Sequence, residues 1–105
     1  MIALSIMALA MEALSVITAA QLRAARALLG IDQRELAQRC SLSLPTIQRM
    51  EASEGVIRGN VDSLMKLVEA LAAAGIELIG EGVPSIGGGR GVRLKSLPSA
   101  GEDNK

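Results

Sequence analysis

The chain has 105 residues, enough for one small domain with a modest core and little more. Half of the residues are apolar but none is Phe, Tyr or Trp, so the core must be built from aliphatic side chains, which suits packed helices better than a sandwich or barrel. Eleven basic residues balance eleven acidic ones, which excludes a global basic signature of nucleic-acid binding; the lack of His and the single Cys exclude an internal disulfide and a His/Cys metal site and point to a reducing cytoplasm.

The first stretch, "MIALSIMALAMEALSVI", is apolar nearly all round. It lacks the basic start of a signal peptide, Glu12 interrupts it, and it is too short to span a bilayer, so no membrane role is expected. Residues 1–16 are read as an apolar extension forming an extra helix, buried against the domain or a second subunit. Initiation at Met7 or Met11 is the plainer alternative.

Three helix starts then share one grammar, opening a domain predicted over residues 17–75. Thr18 precedes "AAQLRAARALL" with Gln21 three residues on; Asp32 precedes "QRELAQRC" with Glu35 three residues on; Ser43 precedes "LPTIQRME". The first two have capping-box spacing, and the pairs Ile17/Leu22, Ile31/Leu36 and Leu42/Ile47 are placed to staple each entry. Pro45 falls in a first turn, where backbone N–H groups lack intrahelical partners anyway, and Gly30 stops the first helix.

A fourth helix is predicted after Asn60, with Val61, Leu64, Met65, Val68 and Leu71 as its apolar stripe and Gly75 at its end. Beyond it "GIELI" (residues 75–79) and "GVRLK" (residues 91–95) alternate apolar and polar, which predicts a β-hairpin within residues 76–95, Glu77 and Arg93 lying on its polar side. Such a hairpin is marginal alone and is expected to pack on the helices or on a second subunit. Residues 96–105, rich in Pro, Gly, Ser and charge, read as a disordered tail. The run "GGGRG" lacks the Lys-Ser/Thr ending and strand-to-helix setting of a phosphate-binding loop and reads as a flexible connection.

Only "CSLS" separates the second and third helices, a spacing that matches a helix-turn-helix whose second helix enters the major groove. Leu36, small Ala37, Leu42, Ile47 and Met50 fall where the two helices must meet. The stretch "QLRAARALLGIDQRELAQRCSLSLPTIQRMEAS" resembles the lambda-repressor-like, XRE-type helix-turn-helix DNA-binding domain, from Thr18 to about Gly75. The resemblance implies a mostly α fold, a four- to five-helix bundle with a helix-turn-helix, that binds operator DNA as a dimer and usually represses transcription. The C-terminal "AAGIEL…GGGRGVRLK" also resembles the strand-forming tail of a bacterial subset of such regulators. One departure stands out: the tight turn is commonly glycine in this family and is Ser41 here, which must then accept a left-handed conformation.

With Ile47 and Met50 inward, helical spacing puts Pro45, Thr46 and Arg49 on the opposite face. Arg49 can form a bidentate contact to guanine, a type worth about 1–3 kcal/mol of discrimination. Thr46 can bond a base edge or phosphate, Leu44 and Pro45 offer apolar contact to a thymine methyl, and Gln48 is a further reader. Ser43 caps its helix and is within reach of phosphate, while Gln33 matches the family position that contacts backbone phosphate. The bland alternative is a solvated helix face; the agreement of turn length, caps and packing positions favours double-stranded DNA. From residue 21 to 58 six arginines face four carboxylates, and Arg23, Arg26, Arg34 and Arg39 read equally well as phosphate contacts or as ordinary surface charges.

No His base, Cys–His pair or glycine-flanked nucleophilic serine is present, so neither enzymatic activity nor a cofactor is expected. Cys40 reads as a small buried hydrophobe. The sequence thus predicts a homodimeric bacterial transcriptional regulator, with the hairpin or the N-terminal segment as dimer surface. Two other readings stay open: an antitoxin that holds a toxin through its tail or N-terminal segment, and an interaction module that does not read DNA.

Overall fold

The computed structural model describes residues 17–95. The expected N-terminal helix and the disordered tail lie outside the described residues. Four helices follow one another: α1 (Ala19–Leu29), α2 (Gln33–Cys40), α3 (Leu44–Glu51) and α4 (Val61–Ala73). Each begins where a short polar side chain takes an orphan backbone N–H. Thr18 accepts from Gln21, Asp32 from Glu35, Ser43 from Thr46 and Asn60 from Ser63. At α1 the box closes reciprocally, the Gln21 carboxamide taking the Thr18 N–H at 2.9 Å. At α2 it closes on one side only, because Glu35 turns along the helix to Arg39 at 2.8 Å.

The helix ends follow the same local logic. Gly30 ends α1 in the left-handed conformation, with Ile31 N–H bonding back to Arg26. Ser41 ends α2 at φ 57°, ψ 39°, the one non-glycine residue with positive φ among the described residues. It turns the chain so that only three residues separate the end of α2 from the start of α3. After α4, Gly75 at φ 94° lets Ile76 N–H reach back to Leu71.

The core is aliphatic, with Ile17, Leu22, Leu36, Ile47, Met50, Leu67 and Leu71 fully buried. Ala37 and Cys40 lie in the same cluster and keep α2 close to its neighbours, while Leu42 packs on it from the turn. The apolar stripe of α4 is rotated from the expected one. Leu67 is buried and Val61 is 66% exposed, so the inward line runs through Leu64, Leu67, Val68 and Leu71. A short antiparallel bridge, Thr18 opposite Val56, joins the entry of α1 to the segment after α3, with Ala19 N–H to Gly55 O at 2.9 Å and Ile57 N–H to Ile17 O at 3.2 Å.

The expected C-terminal hairpin is not formed: residues 76–95 contain no strand. Ile76 and Leu78 pack on the core, and the Gln21 carboxamide donates to Ile79 O at 3.0 Å. Glu77, expected on the polar side of a ladder, instead accepts from Ser85 Oγ and from the backbone N–H groups of Ile86 and Gly87. Arg93, expected beside it, donates to Gly80 O at 2.8 Å. Glu77 is thus tied to the segment that was expected to connect the two strands, and an isolated two-stranded ladder is too weak to compete.

Candidate nucleic-acid interface

Helix α3 has eight residues and two chemically distinct sides. Ile47 and Met50 are buried against α2 and α1, which fixes its rotation. Pro45, Gln48 and Arg49 are exposed, and spacings of three and four residues place them on one face. Leu44 and Thr46 are half-buried at its edges. The hydroxyls of Ser43 and Thr46 lie 2.8 Å apart and Ser43 Oγ also accepts the Thr46 N–H, so both are held at the helix entrance. Pro45 in this first turn leaves no donor wanting a partner.

The expected sites therefore divide. The structure brings Pro45, Gln48 and Arg49 together as an outward face, with Ser43 and Thr46 at its N-terminal edge and Leu44 turned partly inward. Gln33, at the start of α2, is half-buried and its carboxamide nitrogen donates to Glu51 Oε1 at 3.0 Å. That contact reaches a residue the sequence reading treated only as a charge.

Glu51, the last residue of α3, is 5% exposed. Arg26 from α1 grips its carboxylate at two points, Nε to Oε2 at 2.7 Å and the terminal NH2 nitrogen to Oε1 at 3.0 Å. Arg23 donates to the Glu51 backbone carbonyl at 2.6 Å, satisfying an orphan acceptor at the end of α3. Burial alone would push the Glu51 carboxyl up; the hydrogen bonds from Arg26 and Gln33 and the charges of Arg26 and Arg23 outweigh it and hold the group below the usual carboxylate range. The same hydrogen bond raises Arg26 above its ordinary value, against the effect of burial. A signal for Glu51 was present: it stands four residues after Ile47, on the inward side of α3, where an acid needs a partner.

These contacts divide the arginines of the domain by their partners within the fold. Arg23 and Arg26 are engaged in joining α1 to α3, and Arg39 pairs with Glu35 at 2.8 Å on the surface of α2. Among the described residues, Arg34, Arg49 and Arg58 are exposed with no hydrogen-bond or ion-pair partner. The acid of α3 is thus turned inward and neutralised while its arginine is left outward.

Two short helices joined through three residues, the second stapled at its base and open on its far side, define a helix-turn-helix domain. Residues 22–73 match the helix-turn-helix family model, and over them the chain belongs to that family, of the lambda-repressor-like, XRE type. The family is one of DNA-binding transcriptional regulators. No curated protein and no solved structure matches the chain significantly. Among the described residues, no helix is long and apolar enough to cross a membrane.

Proposed function

We propose that the protein is a sequence-specific DNA-binding transcriptional regulator of the cytoplasm that acts as a homodimer on a palindromic operator, most simply as a repressor. The observation that carries this reading is the outward face of α3: Arg49 exposed and unpaired among the described residues beside Pro45 and Gln48, with Glu51 turned away. In this reading Arg49 reads a guanine edge, and Gln48, Thr46, Leu44 and Pro45 supply the remaining groove contacts. Gln33 and Ser43 hold phosphates. One such domain spans few base pairs, so useful affinity requires two half-sites about 34 Å apart. A second copy is supported by Val83, Ile86, Val92 and Leu94, each at least 50% exposed on the segment after α4.

Selection of bound duplexes from a random pool tests this directly. The expected result is an enriched palindrome whose half-sites are one helical turn apart. A pool that stays random would sink the reading in favour of an interaction module. An enriched site combined with stable copurification of a neighbouring gene product would favour the antitoxin form of the same DNA-binding activity.

A further inference from the structure

We propose that Glu51 is a positioning residue for DNA contact: its carboxylate holds the Gln33 carboxamide nitrogen-first and so fixes which group Gln33 offers to a backbone phosphate. The inference rests on the DNA-binding reading above. Its physical basis is the polarity of the two partners. A carboxamide has a donating and an accepting end, of nearly equal shape, and either can face a neighbour that both gives and takes. A carboxylate only accepts. With Gln33 Nε2 at 3.0 Å from Glu51 Oε1, the nitrogen must face Glu51.

The carboxylate is not free to turn. Arg26 holds both oxygens from α1, and Oε1 carries the Gln33 and Arg26 donors together. Gln33 Nε2 has two N–H bonds and Glu51 takes one, leaving the second as the donor for an anion. A phosphate also only accepts, so a carboxamide that turned its oxygen to it would repel it. Gln33 opens α2 and Glu51 closes α3, so the contact also ties the phosphate-facing helix start to the end of the recognition helix.

Glu51→Gln is the variant that separates orientation from shape. Its carboxamide accepts at one end only, so Arg26 can no longer be held at both points and the charge that draws the Gln33 nitrogen inward is gone. Gln33 is then free to turn either end inward or to let go, and its donor is no longer held in one place. The test uses the full chain and the selected duplex, with one phosphate at a time replaced by a neutral methylphosphonate. For the wild type, one position per half-site is expected to weaken binding about tenfold or more, as loss of a hydrogen bond to a charged group does, and this penalty disappears in Gln33→Ala. In Glu51→Gln the penalty is expected to fall to about twofold at that phosphate while staying unchanged at the others. A full penalty retained in Glu51→Gln, or an even loss of affinity at every phosphate, would overturn the proposal and leave Glu51 a structural residue.

A measurement on the wild type needs no variant to fold. On addition of the duplex, the two Gln33 side-chain amide protons are expected to separate further in the NMR spectrum. They should not do so when the duplex carries the methylphosphonate. Two protons indifferent to both duplexes would overturn the proposal while leaving DNA binding intact. A wild type that selects no duplex at all would remove the DNA reading and this inference together.

Discussion

Arg26 in α1 and Glu51 at the end of α3 lie 25 residues apart in the chain and meet through two hydrogen bonds. The guanidinium side chain keeps 24% of its surface exposed while the carboxylate side chain keeps 4%, so the cost of breaking the pair falls on Glu51. Arg26→Met is expected to destabilise the fold by about 3 kcal/mol, the usual loss when a buried charge is left without its partner. Gln33 stays as a neutral donor and cannot replace the charge. Urea denaturation reads the effect as a lower midpoint at unchanged slope. A loss below about 1 kcal/mol, the scale of a surface ion pair, would show that the pair does not hold α3 to α1.

The same pair predicts acid sensitivity. Because the folded Glu51 carboxyl titrates below its unfolded value, its contribution is present above about pH 4.3 and is lost as pH falls through the lower folded value. Denaturation midpoints measured from pH 6 downwards, on the order of half a unit apart, should fall less steeply in Glu51→Gln than in the wild type. Parallel curves would mean that other carboxylates dominate.

Ser41 carries a cost that glycine would not. At φ 57° a side chain with a Cβ is strained by about 1–2 kcal/mol, and the Ser41 side chain is exposed with no hydrogen-bond partner among the described residues. Glycine removes the strain but loses more freedom on folding. Ser41→Gly is therefore expected to stabilise the fold by about 0.5–1 kcal/mol, whereas Ser41→Val destabilises it. Thermal denaturation of the two variants gives opposite shifts if the turn geometry is right, and equal shifts if it is not.

Much of the fold was readable because its signals are local. Thr18, Asp32, Ser43 and Asn60 cap helices two or three bonds from their own backbone, and Ser41 stands out against a turn that wants glycine. What failed was non-local or degenerate. Five alternating residues at each end of 75–95 predicted a ladder, but alternation alone does not set one strand against another, and Glu77 turns instead to the backbone of the connecting segment. The phase of α4 slipped because apolar residues lie on most of its circumference, and burial chose Leu67 over Val61. The outward side of α3 was legible from Ile47 and Met50, yet the Arg26–Glu51–Gln33 cluster behind it joins three helices and leaves only the inward placement of Glu51 as a clue.

Cys40 is 2% exposed in the core, and burial pushes its thiol up to about 11. The thiol is therefore neutral and unreactive at pH 7, and alkylation should be slow in the folded protein and fast in urea. Its sign for stability is opposite to that of Glu51. The contribution is intact below the unfolded value of about 8.5 and is lost as pH rises towards the folded one. Cys40→Ala should flatten the alkaline side of the stability curve. Alkylation at equal rates with and without urea would place Cys40 at the surface.

Arg49 is exposed near the end of α3, and among the described residues its guanidinium has no partner. Its removal should leave the fold alone, within about 0.5 kcal/mol as for most surface changes. The loss should appear in recognition. Arg49→Ala is expected to weaken binding to the selected operator by about 1–3 kcal/mol and to flatten base preference at one position of each half-site. Arg49→Lys, which keeps the charge without the planar fork, should restore affinity for all duplexes more than it restores preference among them. Binding isotherms against the operator and a single-base variant, at two salt concentrations, separate these effects, since charge neutralisation is salt-dependent and base choice is much less so. If Arg49→Ala lowered affinity equally for both duplexes, Arg49 would be a phosphate contact, and base reading would pass to Gln48 and Thr46.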